Sequence, residues 1–521
     1  MDRKWWTLIA VCVATFMLLL DITVVNTALP SIRRDLHSSF TDLQWVIDAY
    51  ALTLAAFVLT SGSLADRLGR KRVFVIGLAI FTVASLLCGL AGSPTVLNLS
   101  RALQGVGGAV MFAVSLALLA QEWRGPERAT ATAIYGATIG VAVALGPLVG
   151  GALTQAIGWQ SIFFLNIPVG VAAIAVTLLR VRESRDETAR GVDWGGTVTF
   201  SAANALLVLA LLRGNDDGWT STTIVSLLVA AIVLFVAFVL IELRVSQPML
   251  PLGLFRNHAF TGAQITAFAL SDSMFALFLY ITLYMQEIEH LSPLQAGLRY
   301  LPFTVGSFFV AGATASLEGK VPPRVLLASG LAITGVGLAL MSGAEPNDSW
   351  TVLLPGFIVG GLGVGLVNPV LANVALSTVP ERMSGVASGI NDTFRQVAIA
   401  SGTAGLGALF LALSQQRIEA LLPGASGPRA RGLAEAVSSG SLPSGVPAPV
   451  VHAAREGFTH GFSIILLVGS GLALVGAVLA LLLVRDSDLR HDEMPVAGTE
   501  TGTETAPGAG PAAGATEPAA A

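Results

Sequence analysis

The chain alternates between long apolar stretches and short polar breaks, and the stretches recur at the length of a membrane span. About 20 predominantly apolar residues cross the ~30 Å hydrocarbon core as a helix. Fourteen such runs are read from the N-terminus. They begin near Trp5, Leu43, Val73, Thr95, Thr130, Ser161, Trp194, Thr222, Phe260, Pro293, Arg324, Thr351, Ser384 and Phe462. Runs of this length predict helices, because a lipid-embedded backbone must satisfy its own hydrogen bonds. The first run is too long for a signal peptide and has no small-residue cleavage site after it, so it is expected to stay as a span. The predicted fold class is an all-α polytopic membrane protein.

Composition narrows the function classes. Hydrophobic residues make up 54% of the 521 residues, with 56 glycines besides, and only 12% are charged. The mean hydropathy is +0.74. Soluble domains are about 45–50% apolar with glycine counted, and about 25% charged. A soluble multidomain protein, a disordered chain and a nucleic-acid binder are excluded. Cys12 and Cys88 both lie in apolar runs and read as buried thiols, and the histidines lack metal-ligand spacing. No nucleophile–base set or phosphate-binding loop stands out, so neither an enzyme nor a cofactor or metal is expected. Apart from Lys4, Lys71 and Lys320 the basic residues are all Arg. With abundant Ala and Gly, that composition points to a GC-rich bacterial genome and a bacterial cytoplasmic membrane.

Orientation follows from where Lys and Arg fall between spans. With a cytoplasmic N-terminus, the inner loops hold most of them, including Arg67, Arg70, Lys71 and Arg72, and Arg180, Arg182, Arg185 and Arg190. Both termini are expected to be cytoplasmic. The charged stretch from Arg180 to Asp193 separates six spans from the rest. The expected divisions are a six-helix bundle over 1–190, two inserted helices over 191–257, and a second six-helix bundle over 258–490. An extracellular loop, with room for a short helix in it, is expected at about 414–458. The tail over 491–521 is of Gly/Thr/Pro/Ala/Glu composition and is expected to be disordered.

Ionisable residues inside spans carry the candidate chemistry, since each costs at least ~2.5–3.5 kcal/mol to place there. Asp21 lies in the first run and Asp48 in the second, at similar depth. The alternative for Asp48 is a solvated place in the outer headgroup zone. In the fourth run Arg101, Gln104, Gly105 and Gly108 share one face at i, i+3, i+4 and i+7. Arg101 keeps its proton and needs an acceptor, and Asp21 is at the matching depth. A pair that forms and releases would tie protonation to conformation, whereas the alternative is a purely structural ion pair. The break after the second run reads Gly62 through Arg72, with Asp66, Arg67, Gly69 and Arg70 between; its plain alternative is a positive-inside anchor. In the fifth run Gly146, Pro147, Gly150 and Gly151 combine a small-residue face with a kink, which suits a gate or plain close packing. Asp272, mid-span in the ninth run, and Asp392 in the thirteenth, where Arg395 at i+3 is spaced to be its plain ion-pair partner, complete the set.

Together these segments resemble the major facilitator superfamily, and specifically its fourteen-span drug:proton antiporters. Leu20-Asp21 through Leu29-Pro30, Gly62 through Arg72, Arg101 through Gly108, Gly146 through Gly151 and Trp159 through Pro168 are each similar to a family motif. Gly363 through Pro369 and Gly385 through Gln396 add to the match. The resemblance implies two six-helix bundles around a central cavity, plus two inserted helices. It implies that Asp21 takes part in proton coupling, that Arg101 is its buried partner, and that Asp66 latches the cytoplasmic side. It also implies cation recognition by Asp48 and Asp392. Tyr50, Phe112, Phe268 and Phe275 are candidates for apolar or cation–π contact.

The expected function is proton-driven export of a lipophilic, cationic drug, dye or antibiotic by alternating access. The alternative is export of an endogenous non-cationic metabolite or lipid-like compound. Expected partners are the small-molecule substrate, protons and the bilayer, with the proton gradient in place of any cofactor and a monomer as the working unit.

Overall fold

The computed structural model describes residues 2–485 and 488, apart from 124–125, 186–192, 247, 315, 318–319, 380–382, 439–441 and 443–445. The tail over 491–521 and most of the linker before Asp193 lie outside the described residues. Among the described residues the chain is helical throughout, without strands. The helices are α1 (Arg3–Leu36), α2 (Phe40–Leu68), α3 (Arg70–Gly89), α4 (Pro94–Glu122), α5 (Pro126–Ala156), α6 (Gln160–Phe164), α7 (Asn166–Arg180), α8 (Trp194–Asp217) and α9 (Thr222–Glu242). They continue as α10 (His258–Leu270), α11 (Phe278–Leu283), α12 (Pro293–Arg299), α13 (Leu301–Thr314), α14 (Pro323–Met341), α15 (Leu354–Ser377), α16 (Ser384–Leu421), α17 (Pro428–Ser438) and α18 (Ala448–Leu483).

Local chemistry sets several boundaries. Ser39 and Asp42 form a capping box that opens α2, with the Ser39 backbone N–H donating to Asp42 at 2.9 Å. Ser93 caps α4, where Pro94 takes the first position and has no N–H to leave unsatisfied. The turn from α2 to α3 is made at Gly69, whose φ of 109° suits glycine and not other residues.

Among the described residues twelve helices are long and apolar enough to span a membrane, and the fifth run adds a pair bent by 44° between residues 134–143 and 145–156. The bend has its cause in Pro147, which cannot donate to the carbonyl of Val143. The run beginning at Pro293 departs from a single span. It is two short helices, α12 and α13, that break at Tyr300. Pro302 removes the hydrogen bond to Leu298 and disfavours a continuous helix there.

The expected loop at 414–458 is also different from the sequence reading. α16 runs for 38 residues and α18 for 36, well beyond the ~20 needed to cross. Their extensions pack together, Gly457 lying against the Ser414 carbonyl, and Arg417 pairs with Glu456 at 3.4 Å. α17 sits beside them, and its Arg431 donates to the carbonyl of Asn215 at the end of α8.

Both ends of the described chain lie at one face. Arg3 donates to the Arg180 carbonyl at 2.8 Å, and Asn257 donates to the Asp488 carbonyl at 3.0 Å. Toward the opposite, distal face the early and late helices are joined. Gln286 donates to the Thr27 carbonyl at 2.8 Å, and Gln44 donates to Tyr280 at 3.1 Å and to the Thr403 carbonyl at 2.9 Å. α8 and α9 pack on each other, and α8 is fixed to α2 by the Thr60–Thr197 hydroxyl pair at 2.6 Å.

Candidate functional site

The centre of the early helices is a closed polar cluster. Asp21 of α1 and Arg101 of α4 meet at 2.5 Å, with side chains 0% and 2% exposed. Three donors converge on the one carboxylate. Arg101 Nη1 serves Oδ2, while Gln104 Nε2 at 2.9 Å and Asn166 Nδ2 at 3.0 Å serve Oδ1. Ser85 of α3 accepts from Gln104 at 2.9 Å and from Asn166 at 3.3 Å. Arg101 further donates to Gln104 Oε1 at 2.6 Å and to the Val46 carbonyl at 3.0 Å, and lies 4.3 Å over the Tyr50 ring. A buried charge pair is tolerable when its spare lone pairs and protons are satisfied in this way. The sequence reading placed Asp21, Arg101 and Gln104 but assigned no part to Ser85 or Asn166. Asn166 was visible inside Trp159 through Pro168, where an amide in an apolar run was the available signal.

Asp48 does not join this cluster. It is fully buried, not solvated in a headgroup zone, and neither carboxylate oxygen has a hydrogen-bond partner among the described residues. One turn before it on α2, Gln44 reaches across to Tyr280 and Thr403. Asp272 stands on a π-helical segment, Ser271–Phe275, that interrupts the helix after α10, and its carboxylate is turned toward Gly402 of α16. Such bulges re-aim side chains and are frequent at functional sites.

Asp392 and Arg395 are both half-buried on α16. The spacing suggested an ion pair, but the structure does not make one. Arg395 turns away and donates to Asn391 at 3.2 Å and to Asn368 of α15 at 2.8 Å. Asn391 in turn donates to Gln264 of α10 at 3.3 Å.

The polar turn at Gly62–Arg72 is tied to its own side of the molecule. Asp66 pairs with Arg70 at 2.8 Å and does not cap a helix. The cap comes from Glu183, which accepts from the Lys71 and Arg72 backbone N–H groups at 3.0 and 3.2 Å. Negative charge at a helix N-terminus is favourable there. Gly62 lies within α2 with open space beside it, and Arg67 is exposed at the end of that helix.

The glycines of α5 make two close contacts. Gly146 packs on Thr23, and Gly150 on Val24 and Thr27, of α1. Gly151 faces the Pro293 carbonyl, and Gly297 of α12 faces the Pro147 carbonyl. A methyl group at any of the four would collide with the facing helix. Of the aromatic candidates, Tyr50 stacks on Arg101, Phe275 packs edge-on against Phe278 at 5.5 Å, Phe112 is half-buried, and Phe268 is exposed.

Residues 11–403 match the Major Facilitator Superfamily. The chain belongs to that superfamily. Among its relatives, a tetracenomycin C resistance and export protein from Streptomyces glaucescens is 32% identical, over 96% of each chain. A puromycin resistance protein from Streptomyces alboniger is 34% identical, over 96% of this chain and 94% of its own. A multidrug resistance protein from Mycobacterium tuberculosis is 36% identical over 79% and 77%. The fold agrees with that of solved transporters. A bacterial homologue of the human lysosomal transporter Spinster superposes with a TM-score of 0.61 at 17% identity, covering 94% of this chain and 99% of that one. The protein is thus a multi-pass major facilitator transporter whose homologues are drug and antibiotic resistance and efflux proteins.

Proposed function

We propose that this transporter is a proton-driven antiporter that exports lipophilic drugs, dyes or antibiotics. The observation that carries the reading is the Asp21–Arg101 cluster. Three donors hold one buried carboxylate, so moving a proton onto Asp21 would cancel the charge that Arg101 depends on. Protonation would then loosen α1 from α4 and bias the bundle toward another arrangement. Gly146 and Gly150 let α5 lie tight on α1, where such a movement would pass directly to the contacts of Gly151 and Gly297. Asp66 and Arg70 would serve as part of a latch when the cytoplasmic side closes. In this reading both termini are cytoplasmic in a bacterial inner membrane, and the distal face is external. The helices divide into six-helix bundles over 1–190 and 258–490, with 191–257 inserted between them, and a monomer is the working unit.

A cationic substrate is supported by Asp48, a buried carboxyl without a hydrogen-bond partner among the described residues, which calls for a proton or a cationic ligand. The second reading, export of a non-cationic product, is supported by Arg395, whose guanidinium has amides and no carboxylate against it. The relatives named for tetracenomycin C and puromycin fit export of antibiotic-like compounds under either reading. The test is uptake of a fluorescent lipophilic cation into inside-out vesicles under an imposed proton gradient. Gradient-driven uptake in wild type that is lost in Asp21→Asn supports the scheme. Uptake that survives Asp21→Asn refutes the coupling role.

A further inference from the structure

Arg395 is a cation deep in the membrane-spanning part of the molecule. It lies eleven residues in from Ser384, the first residue of α16, or ~16 Å along the helix axis. A guanidinium at that depth is not left facing lipid tails. It is nevertheless only half-buried, so part of it stays accessible to a ligand.

The protein leaves this charge without a counter-ion in contact. Arginine has five N–H donors and no acceptor. Among the described residues, Asn391 and Asn368 are its only acceptors, and each takes one N–H. Both are neutral amides. They fix the plane of the guanidinium through Nε and Nη2 and leave Nη1 free to meet something else. Asp392, the neighbouring acid, makes no ion pair with it among the described residues, although helical spacing would allow it to reach. Asn368 is set in α15 just ahead of Pro369, and Gln264 braces Asn391 from α10. Three helices therefore hold one guanidinium in place by amides alone. This contrasts with Arg101, which has its carboxylate at 2.5 Å.

Resting on the export reading above, we propose that Arg395, positioned by Asn368 and Asn391, is the substrate-binding cation of this transporter, and that it takes an anionic oxygen of the substrate, a carboxylate or ionised phenol. A planar guanidinium held through one edge presents its other N–H groups as a fork suited to such a group. Asp392 and the substrate anion compete for the same charge, so the acid sets how tightly the anion is held. The substrates then include lipophilic acids, held by Arg395, beside any cation held elsewhere.

The test is equilibrium binding to the purified full-length protein in nanodiscs, read by fluorescence anisotropy, with two xanthene dyes of similar size. Fluorescein carries phenolate and carboxylate, and tetramethylrhodamine methyl ester is a cation. Fluorescein binding is expected to weaken about 10-fold or more in Arg395→Gln, the usual worth of a charge-assisted hydrogen bond, and less in Arg395→Lys. Rhodamine ester binding should hold or strengthen in Arg395→Gln, which also certifies the fold. Asp392→Asn should act in the opposite sense, tightening fluorescein and weakening the rhodamine ester. Equal fluorescein binding in wild type and Arg395→Gln overturns the assignment. So does a wild type that binds the rhodamine ester alone or neither dye. Loss of both dyes in Arg395→Gln also counts against it, because a charge-selective site leaves the cation's binding in place. Binding needs no gradient, so a failure of proton-driven uptake and a failure of this assignment are read separately.

Discussion

Replacing Asp21 with Asn changes one atom and tests the central cluster directly. In the native arrangement Oδ2 faces Arg101 and Oδ1 faces both Gln104 and Asn166. An asparagine has one acceptor oxygen for these three donors. If the oxygen faces Gln104 and Asn166, the new NH2 group points at the guanidinium. If it faces Arg101, the NH2 group points at two other NH2 groups. Either way at least one donor is orphaned, and Arg101, 2% exposed, loses its counter-charge. Removing one partner of a buried pair costs about 3–5 kcal/mol. The remaining contacts of Arg101 with Gln104, Val46 and Tyr50 place the expected loss near the lower end, ~3 kcal/mol. The assay is reversible denaturation of the purified protein in mixed micelles, extrapolated to zero denaturant. The double variant Asp21→Asn with Arg101→Gln removes charge and counter-charge together and should recover more than half of the loss, without recovering gradient-driven uptake. An Asp21→Asn protein within ~0.5 kcal/mol of wild type, the size of an ordinary surface change, would refute the reasoning.

Gly151→Ala places a methyl group against the Pro293 carbonyl, so it should part α5 from α12; a cysteine placed at buried Ala296, with Cys12 and Cys88 replaced, should then label faster with a water-soluble maleimide, and an unchanged rate would count against the contact. Glu183→Ala removes the acceptor from two N–H groups at the start of α3, and the expected cost is ~0.5–2 kcal/mol in the same denaturation assay. Burial raises the Glu289 carboxyl above its usual range, just past the end of a span. Its contribution to stability is therefore present at low pH and lost as pH rises through the folded value. Glu289→Gln should raise thermal stability at neutral pH and lose that advantage in acid; an equal gain at both would show another cause.

The sequence made the spans legible because apolar length is a strong physical requirement in lipid. What it concealed came from tertiary contacts. The Ser/Gly/Pro-rich stretch after Ser414 looks like a loop by composition, yet α16 and α18 extend through its ends. They are held by each other, with Gly457 and Gly461 letting the two backbones close. The break at Tyr300 was written in Pro302, but apolar length alone does not weigh a single proline. In the central cluster, the matching depths of Asp21 and Arg101 came from counting residues along two helices. Asn166 and Ser85 escaped because neutral polar groups in a span carry no large desolvation cost to flag them. Arg395 shows the converse. Helical spacing pointed to Asp392, and the partner it uses is an amide on another helix, 27 residues away.

On the proposed scheme, Arg101 and Arg395 let one chain separate proton handling from substrate handling. A carboxylate already satisfied by Arg101, Gln104 and Asn166 has no room for a ligand, but it can still accept a proton through a change in its partners. It is suited to sensing a gradient and poorly suited to recognition. Arg395 is the reverse: amides fix its direction without cancelling its charge, and it is half-exposed where Arg101 is sealed. The two lie on α4 and α16, which belong to opposite ends of the chain. Between them stands α2, which sends Gln44 to the Thr403 carbonyl of α16 and its Val46 carbonyl to Arg101. A shift of α2 that weakens one contact must strain the other. On the proposed scheme this helix, which carries Asp48 two residues beyond Val46, is where protonation of Asp21 beside one arginine is felt by the site around the second.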